Sequence, residues 1–176
     1  MKEIEAKILE INRQKVEDIL TRVGAKKIFD GEIQTVFFDF KKRTIVKAKN
    51  LLRLRKERDK TELTFKKVTF TEAAKVAQEY SIEVSDFEMA KTILENLGLM
   101  ETDNLTKHRV SYVTEHARFD VDRYIGKYSF IPEFLEIEAE SAEQIHEYAA
   151  ILGFRAEDCR PWSTSDLIRY YDQKKP

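Results

Sequence analysis

A strict alternation of charged and apolar residues limits this chain more than any other feature. In Glu3-Ile4-Glu5-Ala6-Lys7-Ile8 every odd position is charged and every even position apolar. An extended strand, whose successive side chains point to opposite faces, sorts such a run and sets Glu3, Glu5 and Lys7 about 6–7 Å apart along one face. The same order returns in Leu52-Arg53-Leu54-Arg55, Thr64-Phe65-Lys66, Lys107-His108-Arg109-Val110, Phe119-Asp120-Val121-Asp122 and Phe134-Leu135-Glu136-Ile137-Glu138-Ala139. Strands of this kind need an apolar cover on one side and leave charge on the other.

Eight runs have this extended character: Glu3–Ile8, Thr35–Phe40, Leu51–Arg58, Glu62–Lys67, Gln78–Val84, Lys107–Thr114, Arg118–Asp122 and Phe134–Ala139. Short links such as Asp59-Lys60-Thr61 predict antiparallel hairpins. Helical spacing of apolar residues follows Asn12 and stops at Gly24, follows Ser85-Asp86 and stops at Gly98, and follows Ser141 and stops at Gly153. A C-terminal helix is expected from about Ser163 to Tyr171. Ile82-Glu83-Val84 and Ile137-Glu138-Ala139 each precede a helix, and Ile4-Glu5-Ala6 opens a similar unit. This weak repeat predicts helices over the apolar strand faces. The expectation is an antiparallel α+β fold, and without linkers or low-complexity segments residues 1–176 read as a single domain.

With 176 residues and 42% hydrophobic content the chain can bury a core unaided. No apolar run is long enough to span a membrane, Met1-Lys2-Glu3 opens no signal peptide, and Cys159 is the only cysteine. These features predict a cytoplasmic protein with no membrane partner. Charged residues reach 36%, against about 25% in ordinary domains. Yet 31 basic and 32 acidic residues nearly cancel, which argues against a stable nucleic-acid partner. A homodimer stays open. The charge is unevenly spread: Lys41–Lys67 holds twelve Lys or Arg against three acids, and Glu133–Glu143 holds five Glu and no base.

Like charges two residues apart on one strand repel, and burying an unpaired ion costs several kcal/mol. Rows of one sign therefore imply a compensating ligand. Four Glu on two strands (Glu3, Glu5, Glu136 and Glu138) offer oxygen donors that suit Mg2+ or Mn2+. Arg53, Arg55, Lys66, Lys107 and Arg109 suit a polyanion, which arginine can grip bidentately. Cation and polyanion together read as a metal–phosphate site. The five glycines are scattered, so side chains rather than a glycine-rich loop would hold the phosphates. His108 alternates away from Lys107 and Arg109, and His116, His146 and Cys159 have no partner in sequence that would give them a catalytic task. Trp162, Phe37, Phe38 and Phe40 read as core or wall, and Lys174 and Lys175 as tail.

Glu3-Ile4-Glu5-Ala6-Lys7 resembles the ExExK signature of the CYTH superfamily, also called triphosphate tunnel metalloenzymes. Gln34–Asp39 is similar to that family's second strand, and Leu52–Arg55 with Leu63–Lys67 to its paired basic strands. Ile131–Glu138 is similar to its IPxxLEIE segment, preceded by Asp122 in the place of an aspartate. Ser163-Thr164-Ser165-Asp166-Leu167 resembles its SYSDL-like segment, with Thr164 where Tyr is usual.

The resemblance implies a closed antiparallel eight-stranded barrel, a tunnel with a charged lumen. It implies metal binding by Glu3, Glu5, Glu136 and Glu138, with Asp122 as an additional ligand, and triphosphate binding by Lys7, Arg53, Arg55, Lys66, Lys107 and Arg109. Glu3, Glu5, Lys7, Asp122, Glu136 and Glu138 would carry the catalysis, and Glu83 corresponds to a lumen acid of less settled role. The implied activity is metal-dependent hydrolysis of a small-molecule triphosphate such as tripolyphosphate, thiamine triphosphate or a nucleoside triphosphate. A class IV type adenylate cyclase is the alternative among enzymes, although its usual His-Phe pair does not precede Glu3. A non-catalytic polyphosphate- or nucleotide-binding module is the alternative outside them.

Overall fold

The computed structural model describes residues 4–70 and 75–174. In chain order it has β1 (Ile4–Ile8), α1 (Arg13–Arg22), β2 (Lys26–Phe40), α2 (Thr44–Lys47), β3 (Leu51–Glu57), β4 (Lys60–Phe70) and β5 (Lys75–Val84). Then follow α3 (Phe87–Asn96), β6 (Leu99–Val113), β7 (Ala117–Ile125), β8 (Phe134–Ala139), α4 (Ala142–Ile151) and α5 (Thr164–Asp172). The strands hydrogen-bond in the order β1-β8-β7-β6-β2-β3-β4-β5. The eight strands and the α+β class expected from the alternation are all present.

The ladder is not closed by hydrogen bonds: β1 and β5 end the order. At Lys7, on the side of β1 away from β8, the pairing is instead with Arg160, through Lys7 N–H to the Arg160 carbonyl (2.8 Å) and Arg160 N–H to the Lys7 carbonyl (2.9 Å).

The chain divides into two compact units, one of residues 1–31 and 107–176, the other of residues 32–106. In the first, β1 pairs with β8 so that Lys7 faces Glu136 and Glu5 faces Glu138, and β8 pairs with β7 so that Glu136 faces Asp120. The alternation then sends Ala6, Ile8, Phe119, Val121, Leu135 and Ile137 to one side, where they pack with Val16 and Leu20 of α1 and Ile145 and Ala149 of α4. Every one of these is buried.

In the second unit β3 pairs with β2 and β4, and β4 with β5. Val36, Phe38 and Leu54 pack under Phe87 and Leu94 of α3. This cover is narrower: Tyr80 is 52% and Ile82 62% exposed. A groove of about 530 Å³ runs beside them, lined also by Leu52, Leu63 and Phe65.

The helix boundaries follow the capping residues. Asn12 accepts from Lys15 N–H (3.0 Å), Asp86 from Met89 N–H (2.7 Å) and Ser141 from Gln144 N–H (3.2 Å). Gly24, Gly98 and Gly153 follow α1, α3 and α4 at φ between +81° and +88°, where a β-carbon would be strained. Ser163 and Asp166 cap α5 reciprocally. Five strands (β2, β4, β5, β6 and β7) run longer than the alternation predicts, β2 and β6 by the most, because Lys26–Glu32 and Leu99–Thr106 have no regular period of charged and apolar residues. The short α2 was not expected. It is organised by the buried Asp39, which accepts from the N–H groups of Phe40 (2.8 Å), Ile45 (2.9 Å) and Val46 (3.0 Å).

Candidate functional site

The charged face of the first unit is built one residue per strand. Lys7, Glu136 and Asp120 lie in register on β1, β8 and β7. One step along, Glu5 lies opposite Glu138, and Glu138 opposite Arg118. Lys7 Nζ sits 2.6 Å from Glu136 Oε2 and 3.4 Å from Glu5 Oε1, with its side chain 3% exposed. Arg109 is the hub. Its Nε and Nη2 donate to Asp122 at 2.7 and 2.6 Å, its Nη1 to Asp120, and its Nη2 lies 3.6 Å from Glu136. Lys107 Nζ donates to the second oxygen of Asp122 at 2.7 Å.

These contacts set the protonation states. Burial opposes the charge on Glu136, but Lys7, Arg109 and Lys107 outweigh it and hold the carboxyl below its ordinary range. Burial also works against Asp122, and Arg109 with Lys107 again prevail. Lys7 is raised despite its burial because Glu136 and Glu5 favour the ammonium. Lys107 moves the other way: burial, then the neighbouring Arg109, outweigh Asp122 and Glu136 and lower it. Lys107 and Asp122 are thus both lowered, which favours the charged form of Asp122 and disfavours that of Lys107. Two bases share Asp122, so the carboxylate gains from both while Lys107 bears the repulsion of Arg109.

The expected cation ligands meet this network differently. Glu3 lies outside the described residues. Glu5 and Glu138 stand directly opposite each other, an arrangement in which like charges are destabilising unless a counter-charge comes between them. With Glu136 on the same face they supply oxygen donors of the type a hard divalent cation takes, without being gathered into one cluster. Among the described residues no three acids or histidines are already gathered about one point, since Glu136 is held by Lys7. Asp122 is fully buried with both oxygens engaged by bases. In this geometry it anchors Lys107 and Arg109.

Sequence reasoning placed Asp120 on this face without giving it a role, and missed Arg118 and Ser111. Asp120 accepts from both Arg109 and Arg118, and Arg118 also reaches Ser111 Oγ at 3.2 Å. The period-two rule that selected Asp122 also selects Arg118 and Asp120, so that signal was available. His108 is on the opposite side, as expected, with Nε2 3.2 Å from Asp30 Oδ1. Cys159 is half-buried, and burial raises its thiol above the ordinary value.

In the second unit Arg53 and Arg55 project from β3 on the same side as Thr35, Glu62, Thr64, Lys66, Glu79, Ser81 and Glu83, as the registers require. Arg53 Nη2 lies 3.8 Å from Glu79 Oε2, and Lys66 pairs with the other oxygen of Glu79. Thr64 is fully buried. Its hydroxyl donates to Glu62 at 2.8 Å and meets Ser81 Oγ at 3.0 Å. Glu83 lies exposed opposite Glu62. The sequence picked out Arg53, Arg55 and Lys66 correctly as one face but gave no hint of the Thr64 hydroxyl between the acids.

No helix among the described residues is long and apolar enough to cross a membrane. The PH1012 protein of Pyrococcus horikoshii has a similar structure, with a TM-score of 0.75 and 25% identity over 94% of this chain and 98% of that one. HpAC1 from Hippeastrum, described as an adenylyl cyclase candidate with a dominant triphosphatase activity, shares the fold at a TM-score of 0.69 and 12% identity, over 96% of this chain and 94% of that one. In sequence, a Methanocaldococcus jannaschii protein that bears the name "Putative adenylate cyclase MJ0240" is 26% identical over 152 residues, 86% of this chain and 84% of its own length. The sequence model of the CYTH domain matches residues 1–171, and the chain belongs to the CYTH domain family.

Proposed function

We propose that this protein is a metal-dependent hydrolase that cleaves a phosphoanhydride of a triphosphate chain. The observation that carries this reading is the Glu5–Glu138 pair, two carboxylates set opposite each other on a face otherwise rich in Lys and Arg. Glu5, Glu136 and Glu138, with Glu3, would hold Mg2+ or Mn2+. A bound cation supplies charge compensation and polarisation of a phosphoryl oxygen. Lys7 and Lys107 orient phosphate oxygens on the first unit. Arg53, Arg55 and Lys66 offer the same chemistry on the second. Asp122 and Asp120 fix Arg109, whose donors are turned to carboxylates, and so position the charged row. In-line attack by water then needs little beyond placement and charge compensation, as in phosphoryl transfer generally. The triphosphatase activity stated for the Hippeastrum protein supports hydrolysis, and the cyclase name of the archaeal relative keeps ATP among the substrates to test.

The deciding experiment incubates the purified protein with Mg2+ or Mn2+ and, separately, tripolyphosphate, thiamine triphosphate and ATP, and identifies every product. Free phosphate is the expected outcome. Cyclic AMP with pyrophosphate would assign a cyclase, and unchanged substrates with measurable binding would assign a binding module.

A further inference from the structure

The charged row of the first unit does not end at β1. Lys7 and Arg160 exchange both backbone hydrogen bonds as an antiparallel pair. Residues so paired point their side chains to the same side of the sheet. Arg160 therefore joins Lys7, Glu136 and Asp120 as the outermost member of one transverse row.

Two observations set Arg160 apart from the other bases of this row. Lys7 and Arg109 each contact a carboxylate, whereas Arg160 makes no ion pair among the described residues. It also stands directly opposite Lys7, and like charges facing each other across neighbouring strands repel. Its position is nonetheless fixed. The Trp162 N–H donates to the Arg160 carbonyl at 2.8 Å, a tight turn at Pro161 that brings the indole back. The guanidinium lies 4.8 Å from the Trp162 ring centroid, and that ring lies 4.9 Å from Tyr170 of α5. A cation held on an indole and next to a second cation, with Asp158 near enough to feel its charge but not in ion-pair contact, is arranged to receive an anion.

We infer that Arg160, stacked on Trp162, is a further phosphate-binding residue of this face, and that it shares a phosphate oxygen group of the substrate with Lys7. The inference rests on the triphosphate reading above and adds to it a residue from outside the eight strands. Trp162 acts as a positioning residue: it holds the guanidinium over its ring, which lowers the ordering cost of the contact.

Trp162 is the chain's only tryptophan, so the site carries its own reporter. Tripolyphosphate is titrated with divalent metal withheld to stop turnover, and both heat and tryptophan emission are recorded. Wild-type protein should bind and shift its emission. Arg160→Ala should bind about ten- to hundredfold more weakly, as fits loss of a charge-assisted hydrogen bond, and should lose the emission change. Arg160→Lys should fall between the two, keeping charge without the planar stack. Trp162→Phe should retain most of the affinity, and Trp162→Ala should lose severalfold. Thermal melting of each variant separates folding from binding, because the paired backbone of residue 160 survives the substitution. Equal affinity and equal emission change in wild type and Arg160→Ala overturn the inference while leaving the triphosphate reading intact. No binding by wild type, either with metal withheld or with Mg2+ or Mn2+ present, overturns both.

Discussion

The two charged faces use one alternation to opposite effect. In the first unit acids and bases interlock across the strands and neutralise one another in near-dry surroundings: Lys7 with Glu136, Lys107 and Arg109 with Asp122, and Arg109 with Asp120. In the second unit the recorded pairs lean on Glu79, which is 41% exposed. The apolar sides differ in the same sense, sealed by α1 and α4 in the first and left partly open beside Tyr80 and Ile82 in the second. The contrast teaches that one alternation can build charged faces of very different burial. Where the charges interlock under burial, they specify the fold of the strands that carry them. Where they remain nearer solvent, their pairing contributes little to stability.

The largest effect should come from breaking the interlocked side. Asp122→Ala strands Lys107 and Arg109 in the interior, and removing one partner of a buried ion network costs about 3–5 kcal/mol. The matching change in the second unit, Glu79→Ala, should cost less than about 1 kcal/mol, because an ion pair near solvent is worth little. Urea unfolding of both variants measures the difference. Equal costs would show that the two faces do not differ in the way their burial implies.

The apolar sides sharpen the same comparison at a somewhat smaller scale. Ile137 is fully buried between β8 and the helices, so Ile137→Ala should lose about 2–5 kcal/mol. Ile82 occupies the corresponding place in the strand–helix repeat but is 62% exposed, and Ile82→Ala should stay within about 0.5 kcal/mol. Ile4, also expected to face the helices, is only partly buried against that core and should fall between the two.

How far the sequence could be read follows from the same physics. Alternation is a local signal, and it placed all eight strands and turned Lys7, Arg53, Arg109 and Glu136 the right way. Caps are local too, which is why Asn12, Asp86, Ser141 and Ser163 could be picked out as helix starts. The partner of each charge is not local. The contacts of Asp122 with Lys107 and Arg109 are not legible in its letter, because they depend on its pairing with residues of β6 and on burial. The Arg160 pairing with Lys7 joins residues 153 positions apart through backbone groups, which side-chain pattern cannot foretell. The ladder's open ends belong to the same class of non-local fact.

Acid should discriminate the faces as well. The Asp122 and Glu136 carboxyls are held below their ordinary values in the folded state, after burial has been overcome by their neighbouring bases. A lowered folded value means that the associated stability is fully present above the unfolded carboxylate pKa, about 4, and is lost as pH falls toward the folded values. Urea midpoints measured from pH 7 downward should therefore hold steady and then decline below about pH 4–5. In Asp122→Ala, part of that decline should be missing. A wild-type stability that stays level through this range would mean that the buried network contributes nothing to acid sensitivity.

The smallest stability effect is expected where charge is most exposed on the interlocked face. Glu5 has a side chain 53% exposed, lies 3.4 Å from Lys7, and stands opposite Glu138. Glu5→Gln removes one attraction and one repulsion together. Lys7 keeps its closer partner Glu136 at 2.6 Å, so the attraction lost is the weaker of its two. The repulsion relieved is between directly opposed carboxylates, for which cross-strand pairs give about 0.2–1 kcal/mol. The two nearly cancel, and unfolding free energy should move by no more than about 0.5 kcal/mol, with a slight gain more consistent with the geometry than a loss. Affinity for Mn2+, titrated calorimetrically without substrate, should instead drop markedly, since a charged oxygen donor has become a neutral one. Large destabilisation with unchanged Mn2+ affinity would place Glu5 among the residues that hold the strands together and remove it from the cation site.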